Sequence, residues 1–208
     1  MLSAISAGFA LGPDIDHPNS TITRTLGRTA HLAFHGMSTA ARTVLATDYD
    51  RRRFAKAEER RIDPSHRALT HTFAFTAVMG LFAYLVGHSA LLTAALAALS
   101  VIVCRTLVPG RWQAVVFGAA AALAMFGVSV TFSPGVVALA ATAGWLSHVI
   151  ADSCTTAGVP VMWPLKVNGR YWWRLRLLGG WLRSGEPKEY GVALGISLVM
   201  NLPQLALI

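Results

Sequence analysis

The sequence predicts an all-α protein, a polytopic membrane helical bundle of about five full spans preceded by a truncated N-terminal helix. Three observations carry this prediction. The 208 residues are 54% hydrophobic and only 13% charged, with a mean hydropathy of +0.50, whereas soluble domains carry about 25% charged residues. The cationic residues are confined to a few stretches separated by long blocks without Lys, Arg, Asp or Glu. Those blocks are in turn interrupted by turn-forming residues at roughly the interval a membrane-spanning helix requires. The same composition excludes intrinsic disorder, and two cysteines exclude a disulfide-stapled secreted scaffold.

Taken in order, residues 1–11 (MLSAISAGFAL) form an apolar helix tail too short to cross a bilayer, with neither the basic start nor the cleavage site of a signal peptide. Residues 17–67 hold ten of the eighteen Lys and Arg. Within them, about 36–64, including TDYDRRRFAKAEERRID, is expected to be a partly helical, basic cytoplasmic insertion with affinity for anionic lipid head groups. Two spans are expected near 68–87 and 89–106, divided at Gly87-His88-Ser89. Two more are expected near 112–132 and 135–152, divided at Ser133-Pro134-Gly135. A fifth covers roughly 190–208, with Pro203 kinking it. Threading this order through a bilayer puts Arg105 and Arg111, the basic stretch 166–188 and the 17–67 segment on one side. All eighteen Lys and Arg then obey the positive-inside rule. The whole chain, 1–208, reads as one membrane-embedded domain.

Three polar clusters fall at helix ends. Asp14 and Asp16, with His17 and flanked by Pro13 and Pro18, concentrate negative charge that a cation would neutralise. The ordinary alternative is a helix-terminating turn. His66 and His71, with Arg67 and Thr70, are five apart, so on a regular helix they diverge by roughly 140°. They can serve one site only if His66 sits in less regular backbone. His148 and Asp152 are four apart and share a helix face; their alternative role is an internal hydrogen-bonded pair. The charge-derived topology brings Asp14, Asp16, His66, His71, His148 and Asp152 to one membrane face. This is a ligand set for one or two divalent ions, of a chemistry that suits zinc, manganese or iron(II), with zinc and manganese preferred.

Asp14-Ile15-Asp16-His17-Pro18-Asn19-Ser20, His66-Arg67-Ala68-Leu69-Thr70-His71-Thr72 and His148-Val149-Ile150-Ala151-Asp152 through Gly158-Val159-Pro160 and Trp163-Pro164 resemble, in that order, the YdjM-like inner-membrane metal-dependent hydrolases. Some members of that family are tied to the LexA-controlled DNA-damage response. The resemblance implies a multi-pass bacterial inner-membrane protein with a divalent metal site and a hydrolase activity of unsettled substrate. By the resemblance, relatives carry a further N-terminal segment with a His that would supply one more ligand, and the sequence from Met1 is expected to begin inside the helix that follows it. The stretch from Ser20 to His66 is also longer and more basic than in compact relatives, and its His31 and His35 match no motif.

The expected chemistry is hydrolysis by a metal-activated water at the cytoplasmic interface, on a phosphate ester or a lipid-linked or other small-molecule substrate. Asp16, His66 and Asp152 are the candidate catalytic groups, and Arg67 is placed to bind a substrate phosphate. The alternative is a non-enzymatic membrane metal-binding or scaffold protein. A transporter would carry ionisable groups at mid-membrane, where these spans have none. A cysteine hydrolase built on Cys154 has no evident orienting partner, and Cys104 reads as packing. Trp163, Trp172, Trp173 and Trp181, interleaved with Arg170, Arg174, Arg176 and Arg183, read as an amphipathic stretch lying on lipid head groups, in preference to a nucleic-acid surface. The bilayer is the expected partner, and nucleic acid is not.

Overall fold

The computed structural model describes residues 1–60, 62–182 and 187–205, so Arg61 and Arg183 of the basic stretches and the end of the fifth expected span lie outside the described residues. The described chain is all-helical, without β-strands: α1 (Leu2–Ala10), α2 (Thr21–Leu26), α3 (Arg28–Val44), α4 (Asp48–Glu59), α5 (Phe73–Val86), α6 (Ala90–Cys104), α7 (Gln113–Phe126), α8 (Pro134–Ser153) and α9 (Pro187–Leu205). It forms two compact units. One comprises residues 1–12, 77–148 and the chain from Ala193; the other comprises 13–76 and 149–192.

In the first unit, small residues face inward and large apolar ones face outward. Ala94, Ala97 and Ala98 of α6 are buried, as are Val137, Ala140, Ala141 and Ala143 of α8. Leu81 and Leu85 of α5, Leu91 and Leu92 of α6 and Met125 and Phe126 of α7 are exposed. Glycines set the helix contacts. Gly80 of α5 lies against Thr142 of α8, Gly8 of α1 against Ser100 of α6, and Gly144 of α8 against the backbone of Ser6, with no room for a Cβ at any of the three. This pattern suits helices in lipid, where close backbone approach drives association and an outer Leu is not in water. Two helical stretches of 20 residues, Gly110–Ser129 and Pro134–Ser153, are long and apolar enough to cross a membrane, each about 30 Å at 1.5 Å per residue. Phe73–Val86 and Ala90–Cys104 are apolar but shorter.

The breaks fall where turn residues dictate. Ser89 Oγ caps α6 by accepting from the Leu92 amide, 3.3 Å. Pro134 occupies the first position of α8, where its missing N–H costs nothing. α5 starts later than the expected residue 68, because Thr72 is extended and its hydroxyl accepts from the Phe75 amide, 3.1 Å. Residues Leu69–His71 instead form a single 3₁₀ turn.

The second unit is built on polar anchors. Most of the basic insertion is helical, as α3 and α4. Thr47 and Asp50 form a reciprocal capping box at the start of α4. The buried Asp50 carboxylate also accepts from the Tyr171 amide, 3.3 Å. Trp172 donates from Nε1 to Leu45 O, 2.6 Å, stacks on Trp163 and meets Phe54 edge-on. At 2% exposure it is a core residue, which departs from the head-group placement expected of it. Arg42 is held by Ser65 and Glu58 over the Phe54 ring. The returning chain is tied by bridges between Thr155 and Leu182 and between Val159 and Leu175.

Candidate metal centre

Three pieces of the second unit converge. The 3₁₀ turn Pro13–Asp16 presents Asp14 and Asp16. The turn at His66 and the 3₁₀ turn Leu69–His71 present two imidazoles. The last turn of α8 presents Asp152. His66 does lie in irregular backbone. Arg67 next to it has φ +57°, a left-handed conformation unusual for a non-glycine residue and typical of functional turns.

Asp16, fully buried, receives His66 Nδ1–H at 3.1 Å on Oδ1 and the Thr70 hydroxyl at 3.0 Å on Oδ2. The Thr70 Oγ1 lies 3.0 Å from His71 Nδ1. A hydroxyl has one hydrogen, and this one goes to the ionised Asp16, so Thr70 accepts from His71 Nδ1–H. His71 therefore directs Nε2 at carboxylates: Asp152 Oδ2 is 3.1 Å away and Asp14 Oδ1 3.7 Å. A bare nitrogen lone pair there would face two anionic oxygens. Only a proton or a cation between them makes the arrangement favourable. Burial opposes a proton on His71, but hydrogen bonds to Asp14 and Asp152 outweigh it and raise the pKa above the ordinary histidine value.

Asp14, His71 and Asp152 offer ligand atoms within 4.8 Å of one another, and so do Asp14, Asp16 and His66. Asp14 belongs to both groups. His148 stands one turn before Asp152 on α8, so the two share a helix face. Its Nδ1 donates to Ala10 O at 2.8 Å, which leaves Nε2 as the lone-pair nitrogen. His66, His71 and His148 thus all commit Nδ1 to an oxygen acceptor, the tautomer required for ligation through Nε2.

Arg67 is placed differently from a free phosphate clamp. Its Nε is 2.8 Å from Asp152 Oδ2 and its NH1 donates to Thr155 Oγ1 at 2.8 Å, so it orients Asp152. His17 meets His66 at a tilt of 56° with centroids 4.7 Å apart; burial, then the neighbouring His66, lower its pKa. His31 and His35 take other partners, Ile15 O and Asp63. Burial raises the Cys154 pKa, which disfavours its thiolate. Thr70 escaped sequence reading because a threonine between two histidines has no metal-ligand signature; only the one-hydrogen count reveals its role.

No curated protein and no solved structure matches the chain. A family model does match, over residues 1–201, and it contains all three polar blocks. On that match the chain belongs to the YdjM inner membrane protein family.

Proposed function

We propose that this chain is a membrane-embedded, metal-dependent hydrolase acting on a phosphate ester or lipid-linked substrate at the cytoplasmic face of the inner membrane. The observation that carries the reading is His71, buried, with Nδ1 committed to Thr70 and Nε2 directed at Asp14 and Asp152. Asp14, His71 and Asp152 would hold one divalent ion, zinc or manganese by donor chemistry, and Asp14, Asp16 and His66 a second. An ion bound there supplies Lewis acidity, lowering the pKa of water and polarising a phosphoryl oxygen. Asp16 orients His66, Thr70 orients His71, and Arg67 holds Asp152 in place. Whichever of Asp14 and His66 is not engaged by the ion is exposed enough to take a proton from water.

The outward apolar rows of α5, α6 and α7 support a multi-pass arrangement in which α5 to α9 are the five spans. The confinement of Lys and Arg supports cytoplasmic placement of the basic stretches. Elemental analysis of detergent-purified protein tests the reading: wild type should carry zinc or manganese, and His71→Ala and Asp152→Ala should lose most of it. Undiminished metal in both variants would overturn it. A metal-loaded wild type that cleaves no aryl phosphate mono- or diester would favour the metal-binding scaffold instead.

A further inference from the structure

Beside the candidate metal centre the second unit contains two cavities that share Arg53 and Arg174. One, about 330 Å³, reaches His66 and Arg67. The other, about 450 Å³, is lined by Arg53, Arg170, Arg174 and Arg176 together with Tyr49 and Trp173. Among the described residues no carboxylate lines the larger cavity, and none of these four arginines forms an ion pair. Arg53 donates to Trp172 O at 3.4 Å, and Arg174 to Ala157 O and Gly158 O at 3.3 and 3.2 Å. Arg170 lies 3.7 Å over the Tyr49 ring. Neutral oxygens and a ring hold three of the four guanidiniums, those of Arg53, Arg170 and Arg174, without cancelling their charge.

We propose that this cavity binds the phosphate groups of the substrate, a diphosphate or phosphate-bearing head group whose ester end extends past Arg67 toward His66 and the metal ligands. The inference rests on the hydrolase reading for the fate of the ligand, but not for its binding. Four guanidiniums gathered without an ion-paired carboxylate repel one another, with Asp50 near Arg53 and Asp152 near Arg174 offsetting this only in part. Burial, followed by the nearby Arg53, Arg67 and Arg176, pushes the Arg174 pKa down to about 9. Burial, with Arg176 and Arg170 adding to it and Tyr49 and Asp50 opposing it, lowers that of Arg53. An anion with several phosphate oxygens relieves the repulsion, and planar guanidiniums pair with such oxygens in forked geometry. The cavity, lined by Tyr49 and Trp173 as well, has ample volume for a diphosphate.

The test is calorimetric titration of inorganic pyrophosphate into the full chain in neutral detergent, with a chelator present so that no divalent ion contributes. Wild type should bind. Arg174→Gln and Arg176→Gln should each bind about tenfold more weakly or worse, while Arg51→Gln, on the exposed face of α4, should match wild type. Arg176 is exposed and holds no other part of the fold by a side-chain hydrogen bond among the described residues, so its variant remains informative if Arg174→Gln misfolds. No binding by wild type, or equal binding by both cavity variants, would overturn the proposal. Competition by phosphatidic acid in mixed micelles identifies the source: displacement at a much lower concentration than inorganic phosphate points to a lipid head group, and parity to a soluble phosphate. His71→Ala separates this proposal from the hydrolase reading. If it keeps its metal while pyrophosphate binding stays arginine-dependent, the hydrolase reading falls and the cavity stands. If it loses its metal and wild type ignores pyrophosphate, the cavity alone falls.

Discussion

Replacing Thr70 by valine tests the hydrogen-bond logic of the site with almost no change of shape. Thr70 is fully buried and makes two 3.0 Å bonds, one to the Asp16 carboxylate and one from His71 Nδ1–H. A hydrogen bond to a charged group contributes about 1.5–3 kcal/mol and a neutral one about 1 kcal/mol, so the variant should lose about 2–4 kcal/mol of stability. It should also release the His71 tautomer. Outer-shell changes of this kind weaken metal binding by roughly 10–100-fold. Thermal unfolding in detergent, with and without added zinc, reads the first effect, and chelator competition reads the second. Thr70→Ser keeps the hydroxyl and should restore most of both. Metal affinity in Thr70→Val equal to wild type would refute the tautomer argument, because the ring would then be oriented without Thr70.

Three further outcomes follow from the geometry. Arg67→Ala should destabilise the protein by roughly 3 kcal/mol, since it leaves the buried Asp152 without the guanidinium 2.8 Å away, and Arg67→Lys should recover only part because an ammonium cannot serve Asp152 and Thr155 as one fork; thermal scans within 0.5 kcal/mol of wild type would contradict this. Gly144→Ala should cost about 1–3 kcal/mol because its Cβ would strike the Ser6 backbone, whereas Gly118→Ala, with open space around it, should be neutral or slightly stabilising; a reversed ranking in detergent melts would refute the close-packing account. Single cysteines at Thr43 and Ser133, both exposed, in a cysteine-free background should be labelled from opposite sides of the membrane, and labelling from the same side would refute the span order.

What was legible in the sequence was mostly local. Ser89 and Ser133-Pro134 read as breaks because capping hydroxyls and a proline at a first helical position act within four residues. The candidate ligands were legible as types because carboxylates and imidazoles are conspicuous at the ends of apolar segments. The late start of α5 was less accessible: Thr72 caps it, and a capping threonine looks like any other polar residue at the head of a span. Contacts across long separations were not accessible at all. Asp50 meets the Tyr171 amide 121 residues later and Trp172 meets Leu45 across 127. Hydropathy therefore assigned Trp172 to the membrane surface when its indole closes a core. Arg67 was read as a substrate contact for the same reason, since its ion-pair partner Asp152 belongs to a distant helix.

The chain spacing of the metal-centre residues also bears on how the protein is made. Asp16 pairs with His66 across 50 residues, and Arg67 reaches Thr155 across 88. During synthesis, the Asp14–His71 half of the centre is complete before α6, α7 and α8 exist, and it waits with Arg67 and His71 still lacking Asp152. The centre closes only when the end of α8 has emerged and the helices before it have been laid down. Closure of the Asp14–His71–Asp152 group then follows insertion of the helices before it, and a chain stopped before Asp152 should reach the bilayer yet lack the ion held by that group.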